Sequence, residues 1–246
     1  MKVTVIGYQS PYPGPDHAGP GFLLEHEKKY YLIDVGSGVL SRLQKMIDLN
    51  KLDAVFISHL HHDHMSDFLV LQYAIQMQFI MERRTKPLPV YFPGIPNQIA
   101  DLIPFQHFID PHIIDEQTLL YLNDLEISFL RTEHAVPCLA MKFKTREKTF
   151  VYGADSGTGT KWSPFADQTD LLILECTYMQ KDRPARPSAH LATSDVAEIS
   201  QWLKPKQLLL THFYPKYDPK EIEKEVVDYG VLGTLHLPEF GKVVFV

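Results

Sequence analysis

The segment His59-Leu60-His61-His62-Asp63-His64 follows the apolar run Ala54-Val55-Phe56-Ile57, so a buried strand delivers imidazoles and a carboxylate into one short loop. These are the ligands that a borderline divalent ion such as zinc prefers, and crowding them into six positions suits a catalytic metal site. Spacing refines the reading. In His-Glu-x-x-His a helix brings i and i+4 onto one face, whereas His59 and His61 sit at i and i+2, so the chain is extended there and both point at one ion. Asp63 and His64 lie further round the turn, where Met65-Ser66-Asp67 begins a helix, and would reach a second ion.

The remaining donors are sought at later strand ends, where a layered α/β fold gathers its chemistry. His134 follows the apolar run 127–130, Asp155 follows 150–152 among small neighbours, and His212 ends the run 208–211. A single histidine at a strand end is more often just hydrogen-bonded; the order of these three is what makes them candidates. Arg183 and Arg186, in the basic segment 181–186, have the guanidinium geometry of a phosphate clamp. His107 and His112 lack metal-like spacing and read as packing or surface.

Strand-like runs fall at 3–6, 22–25, 30–35, 54–57, 90–92, 127–130, 139–143, 150–152, 171–174, 207–211, 234–237 and 243–246. Helical patterns cover 39–49, 68–81, 193–203 and 219–229, the third capped by Thr193 or Ser194. Strands adjacent at the start, then alternating with helices, imply an α/β fold of two sheets face to face with helices outside. Residues 10–21, rich in proline and glycine, form a loop.

With 246 residues, 45% of them hydrophobic, the chain is expected to form one domain, 1–246. A net charge of −6 argues against a broad nucleic-acid-binding surface, so any polyanion recognition must be local. Cys138 and Cys176 are too few for a disulfide framework and read as buried thiols. The start reads as a strand with no signal segment, and no apolar run nears the roughly 18 residues of a membrane span. A soluble, cytoplasmic protein with no membrane partner is the expectation.

On the His-x-His-x-Asp-His loop and the His, Asp and His that follow it at strand ends, nearly the whole chain resembles the metallo-β-lactamase superfamily. That resemblance implies an αββα four-layer sandwich of two packed mixed sheets with helices on the outer faces. It implies two divalent ions per chain, zinc first and manganese as alternative: His59, His61 and His134 on one, Asp63, His64 and His212 on the other, and Asp155 bridging. His62 falls at a variable position, and Asp34 matches an aspartate that orients the metal loop from behind.

Flavin-linked di-iron relatives carry a carboxylate where this sequence has His61, which favours a hydrolase. Ser188-Ala189-His190-Leu191-Ala192-Thr193 and Glu175-Cys176-Thr177-Tyr178 are similar to segments of the ribonuclease Z and phosphodiesterase branch. The resemblance implies a phosphodiester substrate, RNA or a small nucleotide, attacked by a metal-bridging hydroxide, with Asp63 and His190 as catalytic residues and a homodimeric assembly. The ribonuclease Z arm is missing, because only 20 residues separate His134 from Asp155. A carbonyl hydrolase (lactonase, thioesterase or β-lactamase-like) or a non-catalytic metal-binding protein would use the same ligands.

Overall fold

A computed structural model describes residues 1–185 and 188–246, which form two compact units, Met1–Ile114 with Glu239–Phe245 and Asp115–Pro238 with Val246. In the first unit the strands are β1 (Lys2–Gly7), β2 (Gly21–His26), β3 (Lys29–Ile33), β4 (Leu52–Phe56), β5 (Leu88–Phe92) and β6 (Ile109–Ile113). The second holds β7 (Leu119–Leu122), β8 (Leu125–Arg131), β9 (Leu139–Lys144), β10 (Thr149–Tyr152), β11 (Leu171–Glu175), β12 (Gln207–Thr211) and β13 (Thr234–His236). The chain then returns β14 (Val243–Phe245) to the first sheet. Helices α1 (Val39–Leu43), α2 (His62–Met65), α3 (Phe68–Ile80) and α4 (Asn97–Ala100) belong to the first unit, α5 (Thr193–Leu203) and α6 (Pro219–Asp228) to the second.

Each sheet has seven strands, in the orders β14-β1-β2-β3-β4-β5-β6 and β13-β12-β11-β10-β9-β8-β7. Both are mixed, with the same plan. Pairing is antiparallel from β14 to β3 and from β7 to β10, then parallel from β3 to β6 and from β10 to β13. Parallel strands present their C-terminal ends along one edge, so Asp34 and Ser58 emerge side by side after β3 and β4, as do Asp155 and Cys176 after β10 and β11.

The helices exist because the sheets need apolar cover. Leu40 and Leu43 of α1 and Phe68, Leu71 and Ile75 of α3 join Leu32, Val55 and Val90 of the first sheet in one buried cluster. Spacings of three and four residues put the α3 anchors on one stripe. In the second sheet all five residues of β11 are buried, as befits a central parallel strand covered on both faces. Helices α5 and α6 pack against one another. Neither cysteine forms a disulfide, both are buried, and no helix among the described residues is long and apolar enough to cross a membrane.

The structure departs from the sequence expectation in particular places. Strands β6 and β7 had no expected counterpart. Both are edge strands whose exposed residues alternate, Pro111 and Ile113 in β6 and Leu119 and Tyr121 in β7, with Ile109 the one buried side chain between them; Pro111 is tolerated at an edge. The helix expected over 39–49 ends at Leu43, and the Asp48 carboxylate accepts the Asn50 N–H at 3.0 Å to start a separate 3₁₀ turn. Helix α5 begins as expected, but its N-cap is Ala192, not Thr193 or Ser194. Asp195 accepts the Ala192 N–H at 3.0 Å, while the two hydroxyls bond Glu225 and Gln180.

Candidate metal centre

In the first unit, β3 ends one residue before Asp34, whose backbone turns into the left-handed region at φ +58° and whose side chain is fully buried. Asp34 Oδ1 accepts the Ser58 N–H at 2.7 Å. Its Oδ2 accepts the Ser58 hydroxyl at 2.9 Å and meets His64 Nδ1 at 2.8 Å. Because the Ser58 proton goes to Asp34, the Ser58 oxygen is left to accept from His59 Nδ1 at 3.0 Å. Both rings therefore carry their proton on Nδ1, and Nε2 becomes the donor atom toward an ion. This is how a ligating histidine is oriented.

The loop is pressed into shape from behind. A Cβ on Gly36 would collide with the carbonyl oxygen of Asp63, so only glycine lets the chain pass there. Ser10 donates its hydroxyl to Asp63 Oδ2, so the proline-rich loop touches the candidate ligand. His62 is exposed and outside the donor set, in line with its variable position.

The second unit repeats the logic. His212 directly follows β12, with φ +63°. Its Nδ1 meets the Thr177 hydroxyl at 2.7 Å, and that hydroxyl donates to Glu175 Oε2, so the His212 proton is fixed on Nδ1 too. Glu175, fully buried, is satisfied by four donors: the Ser156 N–H at 2.7 Å and His190 Nδ1 at 3.0 Å on Oε1, the Thr177 hydroxyl and the Leu191 N–H at 3.2 Å on Oε2. His134 points Nδ1 at the Ala189 carbonyl, 3.4 Å away.

Asp155 is the hub. Its Oδ1 lies 3.1 Å from His212 Nε2 and its Oδ2 3.7 Å from His134 Nε2, so each carboxylate oxygen faces a different imidazole. In the first unit His59 Nε2 lies 3.1 Å from His61 Nδ1, and His64 Nε2 3.6 Å from Asp63 Oδ2. Two ligand atoms at about 2.1 Å from a tetrahedral ion stand roughly 3.4 Å apart. All four pairs match that spacing and are the pairs the sequence groups together, and neutral imidazoles with carboxylates are a donor set that zinc accepts.

His190 stacks on His212 with ring centroids 5.2 Å apart, and its Nδ1 is 3.9 Å from Asp155 Oδ2. Burial pulls its pKa down, but the adjoining Glu175 carboxylate outweighs that and leaves it above the ordinary histidine value. Arg183 is engaged elsewhere, its guanidinium bonded to Asp195, whose side chain also accepts the N–H of the α5 N-cap Ala192. Arg186 lies outside the described residues. His107 packs on Phe79 and Phe108, and His112 stacks on Tyr91. Sequence reasoning noted the Glu175–Thr177 segment without a role, although one residue of spacing past a strand end was the available signal; it missed Ser58 and Ser10.

A family model for the beta-lactamase superfamily domain matches residues 29–213. The chain belongs to the metallo-β-lactamase superfamily, with that family's two mixed sheets and flanking helices. It is 34% identical over 219 residues to the probable metallo-hydrolase YhfI of Bacillus subtilis (strain 168), covering 86% of each chain. The crystal structure of YhfI, a metallo-β-lactamase fold protein from Bacillus subtilis, matches with a TM-score of 0.90 and 31% identity, over 99% of this chain and 98% of that one. A ribonuclease Z from Brevibacillus brevis is 24% identical over 285 residues, covering 90% of this chain and 87% of its own.

Proposed function

We propose that the chain is a dinuclear metal-dependent phosphodiesterase. In this reading His59, His61 and His134 would hold one ion, Asp63, His64 and His212 would hold the other, and Asp155 would serve both; zinc suits this mixture best. The observation that carries it is Asp155, because a carboxylate that turns each oxygen to a separate imidazole is built to be shared. When bound, two divalent ions supply positive charge for a phosphate oxygen and activate water near neutral pH.

The chain's own groups do the rest. Ser58, Asp34 and Thr177 keep the protons of His59, His64 and His212 on Nδ1, so these three rings keep their protonated edge away from the ions. Asp63 accepts the proton of the attacking water. His190, whose pKa the Glu175 carboxylate raises, gives its proton to the departing oxygen. A phosphodiester of RNA or of a small nucleotide is the substrate class, a reading to which the likeness to ribonuclease Z adds. We place the enzyme in the cytoplasm as a homodimer.

The test is a turnover screen of the zinc-loaded protein. Bis-p-nitrophenyl phosphate, cyclic nucleotides and pre-tRNA form one arm, lactones, thioesters and β-lactams the other. Chelator-sensitive cleavage in the first arm is the expected result. Turnover confined to the second would overturn the phosphodiesterase reading and leave a carbonyl hydrolase.

A further inference from the structure

Away from the metal loop, three connections of the first unit bring cations to one place. Lys28 and Lys29 stand at the turn into β3, Lys51 ends the 3₁₀ turn before β4, and Arg83, Arg84 and Lys86 lie between α3 and β5. All six line a single cavity of about 740 Å³. One carboxylate lines it as well. Asp53 is engaged, its Oδ1 with Lys29 Nζ at 2.8 Å and its Oδ2 with the Tyr30 N–H at 2.9 Å.

The other cations outnumber it. Lys28, Lys51, Arg83 and Lys86 have no ion-pair partner among the described residues. Arg84 donates to the carbonyl oxygens of Asn50, Leu52, Lys86 and Pro87, so its guanidinium is locked in place; the Asp53 carboxylate, already bonded to Lys29 and the Tyr30 N–H, acts on it only as a neighbouring charge. Long cationic side chains usually reach out into water. Convergence of three separate loops on one concavity, around an arginine fixed by four carbonyls, is a different arrangement. It occurs in a chain whose net charge is −6.

Because β3, β4 and β5 run parallel, the cavity lies at their N-terminal ends, and Asp34 and the His59 loop at their C-terminal ends. One five-residue strand, roughly 17 Å, separates the two edges. We infer that this cavity is a binding site for a polyphosphate-bearing ligand of nucleotide size, such as a nucleoside triphosphate, distinct from the metal centre. The volume falls in the range of small-molecule sites, about 300–1,000 Å³. Ammonium groups serve phosphates as point charges and guanidinium groups as bidentate donors, and six cations facing one carboxylate match several linked phosphates better than one. The Tyr30 side chain, which also lines the cavity, offers a surface for a base.

Calorimetric titration of the metal-loaded full chain with inorganic triphosphate and with ATP, each with excess magnesium, tests this. Two triple variants of equal charge are compared, Lys28→Ala/Lys51→Ala/Lys86→Ala in the cavity and Lys161→Ala/Lys220→Ala/Lys224→Ala on exposed positions elsewhere. Saturable binding of one triphosphate per chain is expected, at least tenfold weaker in the cavity variant, within twofold in the other, and weaker as salt rises. Equal affinity for both probes assigns recognition to the phosphates alone; tighter ATP binding adds the nucleoside. Three results would overturn the inference: no saturation by either probe, an equal loss in both variants, or a single-stranded RNA retained through these lysines while neither triphosphate saturates. Unchanged melting temperatures for both variants ensure that a loss is read as binding.

Discussion

His190 Nδ1 lies 3.0 Å from Glu175 Oε1, and the other oxygen of that carboxylate takes the Thr177 hydroxyl that orients His212. One buried acid thus sets both an imidazole beside the hub aspartate and an imidazole of the donor set. Metal affinity and proton transfer are therefore separable by mutation on either side of Glu175.

On the His190 side, His190→Ala should keep two ions and a near-normal fold while losing roughly 10²–10⁴ in turnover, the range of general acid–base catalysis. The loss should be smaller on p-nitrophenyl esters, whose leaving group departs without a proton, than on alkyl or ribose esters. Elemental analysis beside turnover decides the matter: loss of metal would make His190 a ligand, and unchanged turnover on unactivated esters would make it structural.

The same pair sets a pH dependence. Glu175 raises the His190 pKa against the opposing effect of burial, so the protonated acid persists to higher pH than an ordinary histidine would allow. Replacing Glu175 by Gln removes the charge, and the alkaline limb of kcat should move to lower pH. A profile that only falls in height, with its limb in place, would show that His190 does not carry the titrating proton.

On the His212 side, Thr177→Val removes the hydroxyl that fixes the ring. Metal affinity at one of two sites should fall roughly 10–100-fold, the usual cost of losing such a partner, and Thr177→Ser should restore it. Asp155→Ala should weaken both sites at once, His212→Ala mainly one. Zinc titrations showing equal, single-site losses for those two variants would count against a shared carboxylate.

Much of the candidate site was legible because candidate metal ligands follow local spacing: the i, i+2 pair, the turn carrying Asp63 and His64, and one donor at each later strand end. Asp34 could be placed behind the loop on resemblance. The Ser58 hydroxyl, the Glu175 to Thr177 relay and the contact from Ser10 could not, since each depends on which strand ends lie side by side. Edge strands β6 and β7 escaped for a related reason, as exposed residues leave little periodic signal. The six cations around the cavity at the N-terminal ends of β3 to β5 are scattered over 28–86 in the sequence, and only the strand order brings their loops together.

Stability should respond to acid through Asp170 as well as through the metal centre. Burial would raise its pKa, but Lys206 Nζ at 2.8 Å, the Thr149 N–H at 2.9 Å and Lys148 outweigh that and hold it below the usual carboxylate value. A depressed value means the folded state resists protonation, so this contribution is complete above the unfolded value of about 3.9 and is lost as pH falls through the folded one. Denaturant unfolding of the metal-free protein from pH 6 to 2.5 should show a flatter acid limb for Asp170→Asn than for the parent. Identical limbs would remove Asp170 from the account.

The left-handed backbone at Asp34 and His212 limits what evolution can try there. Apart from glycine, the side chains that tolerate a positive φ best are asparagine, aspartate and histidine, which overlap with the residues that bind or orient metal ions. The main chain therefore screens substitutions before the metal does. Leucine or valine at either position would be opposed by folding as well as by loss of function, so drift at these sites is steered toward other polar, hydrogen-bonding side chains.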